Sequence, residues 1–403
     1  MDGWVRTMTG QANHKLIWAF SFCGLAAIFS STLSKTPVLP LYASHLGATA
    51  AQVGLIAAAS TVPGIFISYL AGAMSDRYGW RRLLFASLFI FATAPFFYLL
   101  IDSSIELAGV RFYHGLATAI FGPVAMAAIV SVCGERKGEM LSLYSSSTMV
   151  GRALAPFVGG ILLASWSFNG LFLVCAIAGT AALILGAGFW GRLSDREPSE
   201  TPKKVTENGS LVKNLWCLLC HRELLLVGIL EAAVFFTYGA FEVIFPLYAK
   251  GLGIGVWQIG TIMGVQLVGV ILFKPIFGRL SDRVGRGPVI LAGLALCAFT
   301  ISGIPFWQSI LGLGLLNVGF GIGFALVTSS TRPLATELVQ NHQMGASLGV
   351  LSTLMDIGQM TGPPVIGILS TVYGYQTGFL TLVVLLAIIL VLCGYPLAKK
   401  YNF

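Results

Sequence analysis

Charge is what this chain has least of. Asp, Glu, Lys and Arg make up 10% of its 403 residues, where soluble domains carry about 25%. Hydrophobic residues make up 56%, and that balance excludes a soluble globular domain. Polar stretches are equally scarce, with a single long one at 191–222. The seven cysteines are scattered, mostly inside apolar runs, so they imply no disulfide framework. Cys217-Leu218-Leu219-Cys220-His221 has the outline of a haem-attachment or redox pair, but it sits at the entry to an apolar helix and reads as packing. No metal-ligand cluster and no nucleophilic triad stands out, so no enzyme, no cofactor and no metal site is expected. The net charge of +8 falls in alternate loops and is no nucleic-acid footprint.

What is present is a series of apolar runs near 20 residues long. Only helices and closed barrels satisfy their backbone in lipid, and unbroken runs of this length exclude barrel strands. The spans fall at about 15–44, 51–74, 83–101, 105–132, 140–165 and 170–190, then 224–249, 257–280, 288–306, 309–330, 344–372 and 378–397. The expected fold is all-α and integral to the membrane, with twelve transmembrane helices. The first run is too long for a cleaved signal peptide and should stay as an anchor. Nineteen of the 24 basic residues lie in the termini and alternate loops, against Lys250 alone in the intervening loops. That asymmetry predicts cytoplasmic termini.

The chain also repeats itself. Gly72-Ala73-Met74-Ser75-Asp76-Arg77-Tyr78-Gly79-Trp80-Arg81-Arg82 returns as Gly278-Arg279-Leu280-Ser281-Asp282-Arg283-Val284-Gly285-Arg286, 206 positions later. Pro40-Leu41-Tyr42-Ala43 returns as Pro246-Leu247-Tyr248-Ala249, and Gly115 as Gly321, at the same offset. Gly151 and Pro156 return as Gly358 and Pro363 at 207. The reading is two pseudo-symmetric six-helix bundles, residues 1–190 and 223–403, joined by a cytoplasmic linker at 191–222. Repeats of this kind mark secondary transporters, whose sites lie between the halves near the midplane.

Gly72-x-x-x-Asp76-Arg77-x-Gly79-x-Arg81-Arg82 resembles the cytoplasmic signature between helices 2 and 3 of the major facilitator superfamily. Val110-Arg111-x-x-x-Gly115 resembles the superfamily's second signature, with its intramembrane Arg. Gly151-x-x-x-Ala155-Pro156-x-x-Gly159-Gly160 resembles the third, associated with proton-coupled drug exporters, except that Ala155 stands where Gly is usual. The resemblance implies alternating access and a monomer in a prokaryotic cytoplasmic membrane. It also implies a gating role for Gly72, Asp76, Arg77, Gly79 and Arg81, with Asp282 and Arg283 as their second copy. Pro156 would be a bending point.

Charges inside spans cost about 2.5–3.5 kcal/mol each on insertion scales and are functional candidates by default. Glu231 and Glu242 share one face of the seventh span, about 16 Å apart at about 1.5 Å per residue. With Asp356 they are the proton-coupling candidates. Lys35, Arg111 and Arg152, with Tyr238 on the Glu stripe, are the substrate-contact candidates. Lys35 is expected to pair with Glu242 across the halves, and Lys274 to reach the membrane interface. Two functions compete: proton-coupled efflux of small amphipathic molecules, suited to buried acids, and proton-coupled carriage of organic anions, suited to the three cations. A lipid flippase or a receptor is a third. No Gly-x-x-x-x-Gly-Lys-Ser/Thr run is present, so coupling must come from a gradient.

Overall fold

A computed structural model of the chain describes residues 2–67, 74–75, 79–132, 137–190, 222–339 and 344–400. Gly72, Asp76, Arg77 and most of the 191–222 linker lie outside the described residues. In chain order the helices are α1 (Asp2–Leu33), α2 (Val38–His45), α3 (Ala50–Ala59), α4 (Trp80–Phe97), α5 (Ser104–Val132), α6 (Lys137–Ser165) and α7 (Phe168–Trp190). They continue as α8 (Arg222–Gly251), α9 (Val256–Val284), α10 (Arg286–Gly303), α11 (Ile310–Glu337), α12 (Met344–Tyr373) and α13 (Tyr375–Lys400). Among the described residues, eleven helical stretches are long and apolar enough to cross a membrane. Helix α12, 30 residues long and not among those eleven, is the twelfth span; it carries Asp356, Gln359, Pro363 and Pro364. The architecture is the twelve-helix one expected.

Three boundaries differ from the sequence reading. The first span is broken at Ser34–Pro37, between α1 and α2. Pro37 has no N–H to continue a helix, and it disfavours helical geometry in the residue before it. The second span turns at Ser60 and Thr61, just ahead of Pro63. The tenth span does not stop at Ser330: α11 runs on to Glu337 and takes Thr331 and Arg332 into the helix.

The described residues form two compact units, residues 1–38 with 59–202 and residues 39–58 with 203–403. In unit 1, Phe20, Phe91, Phe121 and Tyr144 anchor the core. In unit 2, Phe241, Phe245, Phe320 and Phe379 do so. Lipid tails are as apolar as Leu, so burial of apolar surface does little to join helices here; close backbone approach does more. In unit 1, a Cβ on Gly151 would meet the Leu25 carbonyl oxygen at 2.6 Å, and one on Gly115 would strike the Ser60 carbonyl. In unit 2, Gly358 and Gly362 lie against the Ala232 and Phe236 carbonyls, and Gly321 lies against that of Gln266. Ser60 and Gln266 are themselves 206 apart, as Gly115 and Gly321 are.

The repeat is therefore one of backbone contacts. Helix α4 starts at Trp80 and α10 at Arg286; α5 starts at Ser104 and α11 at Ile310, each pair 206 apart. The closing glycines of the duplicated loop, Gly79 and Gly285, have φ of 83° and 104°. Few residues but glycine adopt that conformation, which is why glycine stands at this point of the motif both times. The segment Ala50–Ala58 joins unit 2 through the same kind of seam. Gly54 lies against Pro363 and Pro364, Gly367 against the Ala50 carbonyl, and Ala51 N–H donates to Thr371 Oγ1 at 2.9 Å.

Gly358→Ala should lower the thermal midpoint of the purified protein, by an overpacking cost of about 1–3 kcal/mol. Gly349→Ala on the same helix, where a Cβ meets nothing within 4 Å, should not lower it. A thermal melt of both variants in detergent checks the contrast.

Candidate functional site

Unit 2 gathers charge from four helices. Glu231 on α8 is 1% exposed. Its Oε2 accepts a hydrogen bond from Thr331 Oγ1 at 2.5 Å, and its Oε1 lies 3.9 Å from Arg332 Nε, both on α11. Lys274 on α9 is within electrostatic reach of Glu231, and Arg332 within reach of Asp356 on α12. The seam of Gly358 and Gly362 on the carbonyls of α8 makes this possible. It packs α12 closely on α8, and Asp356, two residues before Gly358, is linked to the cluster through Arg332. Two acids and two bases thus share one polar cluster, with Glu231 at its buried end. Lys274, expected to reach for the interface, is half-buried and within electrostatic reach of this cluster.

Above Glu231 along α8 stands a block of rings. Tyr238 packs on Phe324 at 4.5 Å between centroids and Phe235 on Phe324 at 5.1 Å; Phe241 packs on Phe320 at 4.6 Å. Glu242 lies beyond the Tyr238 turn, half-buried. The two acids of α8 therefore have different surroundings, one inside the charged cluster and one past an aromatic block. Lys35 is half-buried in the turn between α1 and α2.

Unit 1 has a polar cluster of another kind. Arg111 on α5 is 4% exposed. Its Nη2 donates to Ser60 Oγ at 3.0 Å and its Nη1 to Tyr98 Oη at 3.3 Å. Tyr98 Oη also lies 3.2 Å from His114 Nδ1. Tyr98 stacks on Phe172 at 4.7 Å, and Phe91 meets the His114 ring edge-on at 5.6 Å. Gly115 builds this cluster: without a side chain it lets α5 rest on the Ser60 carbonyl, and Arg111, one turn earlier, then reaches the Ser60 hydroxyl. Arg111 Nε and His114 Nε2 are buried without a hydrogen-bond partner among the described residues. On α6, Gly151, Ala155 and Gly159 face α1, while Arg152 is exposed and Pro156 buried.

The duplicated loop is described in full only in its second copy. Arg286, the last residue of that motif, pairs with Asp282 Oδ1 at 2.5 Å. It also donates through Nε and Nη2 to Glu337 Oε1, at 3.2 and 3.0 Å. Arg286 so ties the end of α9 to the last residue of α11. Arg283 is exposed and makes no ion pair among the described residues. In the first copy, the Arg81 guanidinium lies over the Trp80 ring, 5.5 Å from its centroid.

Sequence reasoning missed Arg332, Thr331, Arg286, Tyr98 and Ser60. A signal for the first two existed. The fourth span ends at Val132, so the 206 offset places the end of the tenth near 338 and puts Arg332 inside it. For Tyr98 and Ser60 no spacing points to Arg111.

The sequence profile of the Major Facilitator Superfamily matches residues 20–266 and 228–402. The staphyloferrin B transporter of Staphylococcus aureus is 23% identical over 367 residues, covering 87% of this chain and 85% of its own. The multidrug resistance protein MdtG of Escherichia coli is 24% identical over 376 residues, covering 91% and 90%. Among solved structures, a bacterial homologue of the human lysosomal transporter Spinster superposes with a TM-score of 0.83 at 15% identity, over 96% of this chain and 98% of that one.

Tyr98→Phe removes the hydroxyl that meets both Arg111 and His114. The melt should show a loss of about 1–3 kcal/mol, the cost of a buried donor left unmatched, with helix content unchanged by circular dichroism.

Proposed function

Because the chain belongs to the Major Facilitator Superfamily, we propose that it is a proton-coupled secondary transporter that exports small amphipathic compounds by alternating access. It is a membrane transporter of a small molecule by family, not an enzyme. The observation that carries the finer reading is Glu231, 1% exposed in a membrane-spanning helix and joined to Thr331 and Arg332. A carboxylate in such a place is stable only as long as its partners stay, so rearranging α8 against α11 changes its proton occupancy. Asp356, within the same cluster, and Glu242, beyond the aromatic block, are the further proton stations. The block of Phe235, Tyr238 and Phe324 offers amphipathic cargo an apolar contact next to them. The name of MdtG, a multidrug resistance protein, favours export.

A gate at the duplicated loop completes the cycle. The proposed elements are Gly72, Asp76, Arg77, Gly79 and Arg81 in the first copy, and Asp282, Arg283 and Arg286 in the second. Pro156 is the bending point of α6. The chain works as a monomer in a prokaryotic cytoplasmic membrane, with both termini cytoplasmic.

One observation favours a second reading, the carriage of organic anions. The Arg111 guanidinium is held by hydroxyls rather than by a carboxylate among the described residues. The acids Asp102, Glu106 and Glu139 of unit 1 sit at helix ends or in a loop, and Arg111 forms no ion pair among the described residues. A positive interior suits an anionic cargo, and a relative is named for the siderophore staphyloferrin B.

Two variants test the scheme in proteoliposomes. Glu231→Gln should abolish substrate movement driven by a pH gradient while leaving exchange without a gradient; wild-type gradient-driven rates would sink the coupling role. Arg286→Gln should cut turnover at least several-fold with substrate affinity retained, whereas a loss of affinity at normal turnover would contradict the gate.

A further inference from the structure

The charged cluster of unit 2 is unevenly satisfied. Glu231 receives its short hydrogen bond from Thr331, not from Arg332, whose Nε stands 3.9 Å away at the outer limit of an ion pair. The other polar contact of the guanidinium is Nη2 to Met355 Sδ at 3.6 Å. A thioether is a weak acceptor. Arg332 thus holds five N–H donors on a fork with no oxygen at hydrogen-bond distance among the described residues, and its side chain is 51% exposed. It lies five residues inside the end of α11, fixed by the helix and by Pro333 behind it. A guanidinium with an open fork matches the two oxygens of a carboxylate or phosphate.

We infer that Arg332 is the seat for an anionic group, a carboxylate or phosphate, of the transported molecule. Filling the seat turns the guanidinium toward the anion and away from Glu231. The charged groups that face Glu231 are Lys274 on α9, Arg332 on α11 and, through Arg332, Asp356 on α12; α13 also packs on α8, and its charged residues, Lys399 and Lys400, are its last two. With Arg332 engaged, Glu231 keeps the Thr331 hydroxyl and the more distant Lys274. A buried carboxylate that loses its nearest cation is costly, and a proton from solution removes that cost. Anion and proton therefore load together, one each, at a single cluster. This half of the inference rests on reading Glu231 as the proton site, and it gives the organic-anion reading a residue and a stoichiometry.

The test uses the purified full chain in phosphatidylcholine nanodiscs, titrated by fluorescence with dansylglycine and with its neutral analogue dansylglycinamide. Wild type should prefer the carboxylate by about tenfold, the scale of one charge-assisted hydrogen-bonded contact. Arg332→Gln should erase that preference and leave amide binding alone, while Arg332→Lys should keep part of it. In weakly buffered medium, binding of dansylglycine should draw about one proton from solution in wild type and none in Glu231→Gln. No carboxylate preference in wild type, or full preference in Arg332→Gln, overturns the seat. Preference lost in Arg332→Gln but no proton uptake in wild type keeps the seat and removes Glu231 as the proton site. Repeating the titration with phosphatidylglycerol discs separates the sources: if anionic lipid abolishes the wild-type preference, the seat holds a lipid headgroup and the claim about substrate falls.

Discussion

Glu231 can lie almost wholly out of solvent in a membrane-spanning helix because Thr331 donates to it and two cations stand near. Everything else in unit 2 is arranged around that requirement. An isolated carboxylate in hydrocarbon pays a desolvation cost that no amount of helix packing offsets. Its partners come from α9 and α11, which are distant in sequence, so the fold must hold these helices in fixed register with α8. The aromatic block from Phe235 to Phe324 seals the side of the cluster toward Glu242. A cluster with two acids and two bases can stay neutral as a whole while a proton or a counter-ion moves within it.

That register is set by glycine seams rather than by apolar burial. In each unit, glycines at the helix crossings put backbone directly on backbone: Gly151 on Leu25 and Gly115 on Ser60 in one, Gly358 on Ala232 and Gly321 on Gln266 in the other. Such contacts tolerate little sliding, because a carbonyl oxygen fills the space that a methyl group would need. They also account for the glycine-rich signatures. The second signature places Arg111 at a hydroxyl because Gly115, one turn on, lets the helices meet. The third lines up Gly151, Ala155 and Gly159 along α1 and so turns Arg152 outward.

Much of this was legible in the sequence. The number and limits of the spans follow from hydropathy, and the duplication follows from spacing alone. That Arg111, Glu231 and Asp356 are candidates follows from the cost of charge in lipid. What was not legible is who meets whom. Tyr98 reaches Arg111 through a helix end, and Arg286 rather than Arg283 carries the ion pairs of the second loop, because the direction of a side chain at a helix end depends on the turn before it. Arg332 was hidden for a different reason. Thr331, Arg332 and Pro333 look like a loop by polarity, yet they are helical, and Thr331 and Arg332 meet Glu231 instead of lipid.

The two units share a backbone plan and differ in charge. At the offset of 206, Arg111 corresponds to Asn317 and Ser60 to Gln266. Asn317 is fully buried, with its Nδ2 bonded to the Leu313 carbonyl. So both units keep a polar group at the crossing marked by Gly115 and Gly321, but only unit 1 makes it a cation. The reverse holds for the acids: at either offset the first half has only apolar residues or glycine where the second has Glu231 and Asp356. Helix packing explains why the glycines repeat, since both units must close the same crossings. It gives no reason for a cation in one unit and acids in the other. The proposed coupling gives one: acids that take up a proton and a cation that holds an anion are sites of unlike charge, and an exact duplicate would supply only like ones.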